Sequence, residues 1–425
     1  MTAVATPPEA DVKTRATPEE RRATVVGVVL ILLGVFVFWA FGLGVESGAT
    51  STFNLSLPGE RFQGLFVEVN SQWLSFAVAA ILAFLGGWVL RRSHVHWTNL
   101  ALAIGLGLLA LAFLTWAAAG GQFNLVGMLR STVVLAVPVI LGGLSGLMCE
   151  RVAVINIAIE GQLLTSAFVG TIVGSAFGIW VGLVAAMLTG ALLGAVLAVL
   201  AIRFRIDQII AGVVINIFAL GLTSFLARRV LAEAQDLNAP GRFTAFKIPI
   251  LGDIPIVGPM FFDHNIFVYA TFALVIVLHF GLFYTRWGLR SRSVGEHPEA
   301  ADTVGINVYR TRYRNVILGG VIAGFGGAFL TLAQVSRFEE NLTAGIGFIG
   351  LAAMIFGRWM PLGVLGAGLV FGFARALQQK LGVLGTPIPS EFLSMTPYIV
   401  TIIVVAGVVG RARPPAADGQ PYIKD

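Results

Sequence analysis

Long apolar runs, each about the length of one bilayer crossing and each closed by charged or turn-forming residues, repeat along nearly the whole chain. A hydrocarbon core about 30 Å thick needs roughly 20 apolar residues of helix to cross it. By that ruler the pattern predicts spans near 25–44, 73–90, 98–118, 131–148, 152–174, 180–202, 207–227, 266–284, 316–335, 343–357, 362–379 and 395–410. That is about twelve, with ten as the lower bound. The run 343–357 is short and glycine-rich, and it reads either as a full span or as a half-helix. The expected fold class is all-α, a polytopic integral membrane helical bundle.

The polar stretches between spans divide into two kinds. Residues 45–72 and 228–265 carry Pro, Asn and Asp turn signals and are expected outside. Residues 285–315 are the most polar stretch between spans. There Pro298-Glu299-Ala300-Ala301-Asp302 suits a helix start, with proline early and acids in the first turn. A short amphipathic helix on the inner face and a plain solvated loop both remain open. Residues 1–23 read as a disordered cytoplasmic tail, and the run from Val25 lacks a cleavage site, so it is expected to stay as the first helix.

Composition narrows the function classes. Of 425 residues, 57% are hydrophobic and only 12% are charged. Soluble domains carry about 25% charged residues, so an ordinary soluble enzyme is excluded; the mean hydropathy of +0.87 agrees. Most of the 51 glycines lie inside apolar runs, and the pairs Gly142/Gly146, Gly170/Gly174, Gly190/Gly194, Gly320/Gly324 and Gly368/Gly372 predict closely packed helices. One cysteine, Cys149, excludes an internal disulfide, and the five scattered histidines offer no metal spacing.

A basic pI near 9.8 raises nucleic acid as a partner. The basic residues instead gather at the ends of apolar runs, which marks a membrane boundary and not a nucleic-acid surface. With the N-terminus inside, most of the 28 Lys and Arg face inward, among them Arg91, Arg151, Arg203, Arg290, Arg310, Arg314 and Arg411. Both termini are therefore expected to be cytoplasmic. The spans within 131–227 start outside and those within 316–410 start inside, the topology of an inverted repeat.

Catalytic constellations are missing. There is no G-x-x-x-x-G-K-[ST], so the chain has no phosphate-cradling loop and no cofactor of its own is expected. No triad and no array of intramembrane acids appears either. The most informative polar site is Val154-Ile155-Asn156-Ile157-Ala158-Ile159-Glu160-Gly161-Gln162. In a span starting near Val152, Glu160 would lie roughly 12 Å inside the inner boundary, close to the midplane. Asn156 and Glu160, spaced i and i+4, would share one face, and Gly161 would permit a break. Two readings stand: a lining of the substrate path, or a structural hydrogen bond or ion pair to a neighbouring helix. Asn216 carries the same pair of readings. Glu150-Arg151 reads as a local pair at the membrane edge.

INIAIEGQ (155–162), followed by a Gly-rich span, resembles the signature of ABC importer permeases in the nucleoside and simple-sugar branch, which includes the ribose permease. GLRSRSVGEHPEAADTVGINVYRTRYRNVILGGVIAGFGGAFLTL (288–332) resembles the coupling loop of that family and the helix after it. The likeness covers most of 98–410. Branched-chain amino-acid permeases are relatives with a similar loop, and E-G-Q after N-I favours the nucleoside or sugar branch. Ala158 and Thr165-Ser166 stand where the family pattern has glycines.

The resemblance implies a type II ABC importer fold in the bacterial plasma (cytoplasmic) membrane. It also implies a second permease subunit that is a different chain, a cytoplasmic ABC ATPase that uses the ATP, and an extracytoplasmic solute-binding protein. Carried over residue by residue, Gly295, Glu296, Ala300, Ala301, Asp302, Gly305 and Ile306 would form the ATPase-docking helix and turn. Asn156, Glu160 and Gly161, with Asn216, would line the translocation path. The chain then divides into the tail 1–23, two extra helices with an outer loop in 24–97, a permease core 98–410 with coupling loop 285–315, and a cytoplasmic tail 411–425. The alternatives are a branched-chain amino-acid permease and a stand-alone secondary transporter.

Overall fold

The computed structural model describes residues 17–57, 64–91, 95–384 and 413–424, with 392, 395 and 399 as isolated positions. The span expected at 395–410 falls, apart from two of those positions, outside the described residues. Among the described residues nine helices are long and apolar enough to cross a membrane. The chain forms two compact units, residues 1–54 with 66–123 and residues 55–65 with 124–425.

In the first unit, Thr17 caps helix α1 (Pro18–Phe36) by accepting the Glu20 N–H, and the Glu20 side chain accepts the Thr17 N–H in return. The helix therefore begins inside the stretch expected to be a tail. A π-helical turn, Val37–Gly42, extends it. Helices α2 (Ser71–Arg91) and α3 (Val95–Ala117) complete the bundle around Leu30, Val37, Leu82 and Ala112. A Cβ on Gly27 would stand 2.9 Å from the Gly86 carbonyl oxygen, so α1 and α2 touch backbone to backbone.

The polar stretch 45–72 holds a structure that an all-α fold class leaves out. Strand β1 (Thr50–Asn54) pairs antiparallel with β2 (Phe66–Asn70), and β3 (Gln122–Asn124) adds to the other side of β1. Thr-Ser-Thr-Phe and Phe-Val-Glu-Val supply the β-branched and aromatic residues that favour a pleated surface. The buried Ser51 hydroxyl donates to the Thr115 carbonyl at 2.7 Å and pairs with Ser71 Oγ at 2.7 Å.

The second unit is built around α4 (Leu125–Glu150), whose apolar stretch is 94% buried and therefore lies at the centre of the bundle. Then come α5 (Ile159–Phe177), α6 (Ile179–Ala198) and α7 (Gln208–Leu226), the last capped by Asp207. The polar loop 228–265 contains β4 (Phe246–Lys247), the one-turn helix α8 (Val257–Phe261) and β5 (Asp263–His264). After α9 (Ile266–Tyr284) the polar loop folds into α10 (Arg286–Glu296) and α11 (Pro298–Thr303), with Pro298 at the helix start as expected. Helix α12 (Val308–Phe329) ends in a π-helical turn, Leu330–Gln334. Helix α13 (Ile346–Phe356) has 11 residues, about 16 Å at 1.5 Å per residue, so 343–357 is a half-helix. Helix α14 (Pro361–Leu384) runs beside α4.

Glycine sets the spacing of α6 and α12. A Cβ on Gly190 would come within 2.2 Å of the Gly320 carbonyl oxygen, and one on Gly320 within 2.2 Å of the Gly190 oxygen. The outer faces of α6 and α7 expose Leu188, Leu192, Ile217 and Phe218. In water such a surface would aggregate; in lipid it is a solvated one.

Candidate functional site

The helix expected to start at Val152 does not form there. Helix α4 stops at Glu150, Ala153 takes a left-handed φ of 61°, and α5 starts at Ile159. Residues 151–158 between them lack helix, yet Val152, Ala153, Val154, Asn156 and Ala158 have no solvent exposure. Buried backbone without a helix must find partners elsewhere. Two side chains of α7 provide them. Gln208 Oε1 accepts the Ile155 N–H at 2.6 Å. Asn216 Oδ1 accepts the Gly161 N–H at 2.8 Å, while Asn216 Nδ2 donates to the Ile157 carbonyl at 2.8 Å. A Cβ on Gly161 would meet Asn216 and Ala219 at 3.0 Å, so the small residue lets α7 lie against the break.

Asn156 and Glu160 consequently do not share a helix face, because Asn156 lies in the irregular segment and Glu160 in the first turn of α5. Asn156 Nδ2 donates to Gln162 Oε1 at 3.1 Å and reaches Ser145 Oγ and Cys149 Sγ at 3.5 Å; its Oδ1 is buried without a partner. Glu160 points the other way. Its Oε1 accepts the Gly345 N–H at 2.8 Å and its Oε2 the Gly347 N–H at 2.7 Å. The carboxylate therefore caps the half-helix α13, where helix-end N–H groups and the dipole both favour a negative charge. Asn156, Glu160, Gly161 and Asn216 thus meet around one broken backbone.

Glu150 and Arg151 do not pair with each other, since neighbouring helical residues point in different directions. Trp359 Nε1 donates to Glu150 Oε2 at 2.5 Å, and Arg151 Nε donates to the Trp359 carbonyl at 2.9 Å. Arg358 and Trp359 both hold left-handed φ angles, 53° and 52°, in the sharp turn between α13 and α14. The Arg151 guanidinium lies over the Phe283 ring at 5.4 Å, and burial pushes its pKa below the ordinary arginine value.

The α10–α11 loop packs directly beneath the break. Its Val294, Ala301 and Ile306 join Val152, Val154, Ala158 and Val308 in one apolar cluster. A Cβ on Gly295 would stand 2.5 Å from the Arg151 carbonyl oxygen. Gly305, at φ 84°, ends α11: its N–H donates to the Asp302 carbonyl at 2.9 Å and the Ile306 N–H to the Ala301 carbonyl at 3.0 Å. The expected docking residues therefore split into two sets. Gly295 and Ala301 are buried and Asp302 and Ile306 half-buried, whereas Glu296, Ala300 and Gly305 are exposed, as are Glu299, Thr303 and Val304, which lay outside the expected set. Val304 is 74% exposed, an apolar side chain offered outward. Glu296 and Asp302 contact the tail 413–424.

At the opposite end of this unit lies a cavity of about 540 Å³ lined by Arg130, Arg242, His264, Asn265, Gln334 and Gln379. Its volume suits a small molecule. Arg130 pairs with Asp263 at 3.0 Å, and Arg242 Nε donates to the Ala333 carbonyl in the π-helical turn of α12. Burial pushes the His264 imidazole below its ordinary pKa, so it is neutral at pH 7. Nothing in the sequence alone brought these residues together, because they come from five separate stretches. Among the described residues no cluster of His, Cys, Asp or Glu could hold a metal.

Residues 128–405 match the family model described as the branched-chain amino acid transport system / permease component. The chain belongs to that family. The match begins inside α4, so α1–α3 lie outside it. The permease is 44% identical over 307 residues to the guanosine ABC transporter permease protein NupQ of Bacillus subtilis, covering 69% of this chain and 95% of that one. It is 37% identical over 302 residues to the nucleoside ABC transporter permease protein NupC of Lactococcus lactis, covering 69% and 95%. It is 33% identical over 310 residues to the putative glucose ABC transporter permease protein TsgC13 of Haloferax volcanii, covering 68% and 93%. No solved structure matches the chain.

Proposed function

We propose that this permease forms half of the path through which an ATP-driven importer moves a nucleoside across the bacterial plasma membrane. The observation that carries the reading is the 44% identity to a guanosine permease over 95% of that protein. A nucleoside permease follows it in similarity, ahead of a glucose permease. A second, different permease subunit completes the path, a cytoplasmic ABC ATPase docks on the α10–α11 loop, and an extracytoplasmic protein delivers the solute. Both termini lie on the ATPase side, and an inverted repeat of helices relates the two faces.

The geometry supports a route for the motion. The ATPase would grip the exposed face of α11, with Val304 seated in an apolar groove. The buried face of the loop pushes on Val152, Val154 and Ala158. That segment is not helical, so it can bend where a helix would resist. Its movement reaches α7 through Gln208 and Asn216, and reaches α13 through Glu160. Rocking of the subunits then opens the path alternately to each side. The polar cavity at the other end is sized and lined to accept a neutral, hydrogen-bonding solute.

The test is uptake in proteoliposomes holding the ATPase, both permeases and the binding protein. ATP-dependent uptake of guanosine, ahead of glucose and leucine, is expected. Uptake by this chain alone without ATP would make it a secondary transporter, and uptake of leucine alone would move it to the amino-acid branch.

A further inference from the structure

Residues 413–424 are polar and proline-rich, and nothing in their sequence suggests packing. They nevertheless sit against three elements of the second unit at once. On the loop, the Ala417 N–H donates to the Gly295 carbonyl at 3.0 Å, the Ala416 N–H to Glu296 Oε2 at 3.1 Å, and Lys424 Nζ to Asp302 Oδ1 at 3.1 Å. On the broken segment, a Cβ on Gly419 would stand 2.9 Å from Ile155 Cδ1. On α12, Arg312 Nη1 donates to the Gln420 carbonyl at 3.1 Å, and the Tyr422 ring lies 5.4 Å from that of Tyr309. Tyr422 is buried in the same apolar cluster as Val152, Val154, Ala158, Val294 and Ala301.

Two buried polar groups depend on this segment. Arg312 is among the largest fully buried side chains, and its hydrogen bond to Gln420 replaces water that cannot reach it. Leaving a buried charge unpartnered is strongly unfavourable. Asp418 Oδ1 is buried without an N–H or hydroxyl donor, and its carboxyl faces that of Glu150 at the end of α4. The tail's own fold is a tight turn, with the Asp418 N–H donating to the Pro415 carbonyl at 3.1 Å and Gly419 at φ 74°. It is therefore a built element whose contacts run from loop to break.

We propose that residues 413–424 are a working part of the coupling apparatus, a wedge that fixes the α10–α11 loop to the broken segment so that both move as one body. Tyr422, Asp418 and Gln420 are positioning residues: they touch no solute and act through the loop. The wedge's role in coupling rests on the importer reading above, whereas its placement does not.

Cys149 is the chain's one cysteine and is buried, so introduced thiols can be addressed alone. Asp302→Cys with Lys424→Cys, treated in membranes with a short bis-maleimide, is expected to cross-link. The cross-linked permease, in complex with its ATPase, is expected to keep the uptake of the same variant without reagent. Ending the chain at residue 412 is expected to leave ATPase co-purification intact while solute moved per ATP falls about ten-fold, within the range typical of coupling between sites. If the shortened chain fails to assemble, Tyr422→Ala provides the same reading of transport per ATP, and a merely structural residue would lower both quantities together. Absence of the cross-link, loss of uptake on cross-linking, or an unchanged ratio after truncation would each overturn the proposal. A native complex without ATP-dependent uptake would instead sink the importer reading and leave the cross-link result standing.

Discussion

Glu160 gives the sharpest test of how the break is held. Its two carboxylate oxygens accept the Gly345 and Gly347 N–H groups, at 2.8 and 2.7 Å, and the residue is 9% exposed. A hydrogen bond to a charged group contributes about 1.5–3 kcal/mol. Removing both bonds with Glu160→Ala therefore costs about 3–6 kcal/mol as an upper bound. Polar contacts inside membranes have measured lower, about 0.6 kcal/mol on average, because the unfolded chain finds other partners. Here the donors are N–H groups at the start of an 11-residue half-helix. The expected loss for Ala is thus near the lower end, about 3 kcal/mol. Glu160→Gln keeps one acceptor and turns an NH2 toward the other donor, so it should fall between Ala and the native chain.

Cys149 supplies the assay. Its thiol is buried and 3.5 Å from Asn156 Nδ2, so a thiol-reactive fluorogenic dye reports opening of the break on heating. The melting order native, Gln, Ala is expected, with uptake falling in parallel. An Ala variant that melts with the native chain would refute the capping argument. If that variant also lost uptake, Glu160 would be a solute contact and not a cap.

Asn216→Leu preserves size but orphans the Gly161 N–H and the Ile157 carbonyl; it should destabilise by about 2 kcal/mol or more in the same thiol assay. Val304→Glu, on the exposed face of α11, should abolish ATPase co-purification with no change in melting, whereas Ala301→Asp, at a buried site, should lower melting as well. Gly320→Val places side-chain atoms where a Cβ already lies 2.2 Å from the Gly190 oxygen, so α6 and α12 must part and the permease should be lost from membranes. Burial pushes the Asp418 carboxyl up to about 6 from 3.8, with Glu150 and Arg312 facing it. The folded state therefore binds the proton more tightly than the unfolded one, and the tail's attachment is strongest at low pH and weakens as pH rises through about 6. Cross-linking of the Asp302→Cys, Lys424→Cys pair, scored relative to labelling of the same thiols by a mono-maleimide at each pH, should drop between pH 5 and 7.5, and Asp418→Asn should flatten that profile.

Hydropathy located most of the helices because the quantity it measures, residence in an apolar medium, is what α1, α2, α4, α6, α9 and α12 share. It failed at 151–158 for the same reason. Val-Ala-Val-Ile-Asn-Ile-Ala is apolar enough to be buried, and burial is what the structure shows; the missing property is helix. What permits a non-helical backbone there is the pair Gln208 and Asn216, more than 50 residues later, each of which reads locally as a lone polar residue in a span. The hairpin β1–β2 escaped because turn residues around it outweighed a short alternating pattern. At α11 the start signal, proline followed by acids, is local and put a helix beside a solvated loop as the two readings; the structure has the helix.

The cluster of Glu150, Trp359, Arg312 and the tail shows why the second half of the site was illegible. Each residue alone has a bland reading: an acid at a helix end, an aromatic at a boundary, a basic residue on the cytoplasmic side, a solvated terminus. Their joint meaning comes from burial, which turns each into a group that must find a partner. Trp359 supplies a donor to Glu150, and the tail supplies an acceptor to Arg312. The charge that composition shows as scarce is therefore not evenly spread over this end of the bundle. Part of it is withdrawn from water beside the broken helix, where polar groups hold a bend in place.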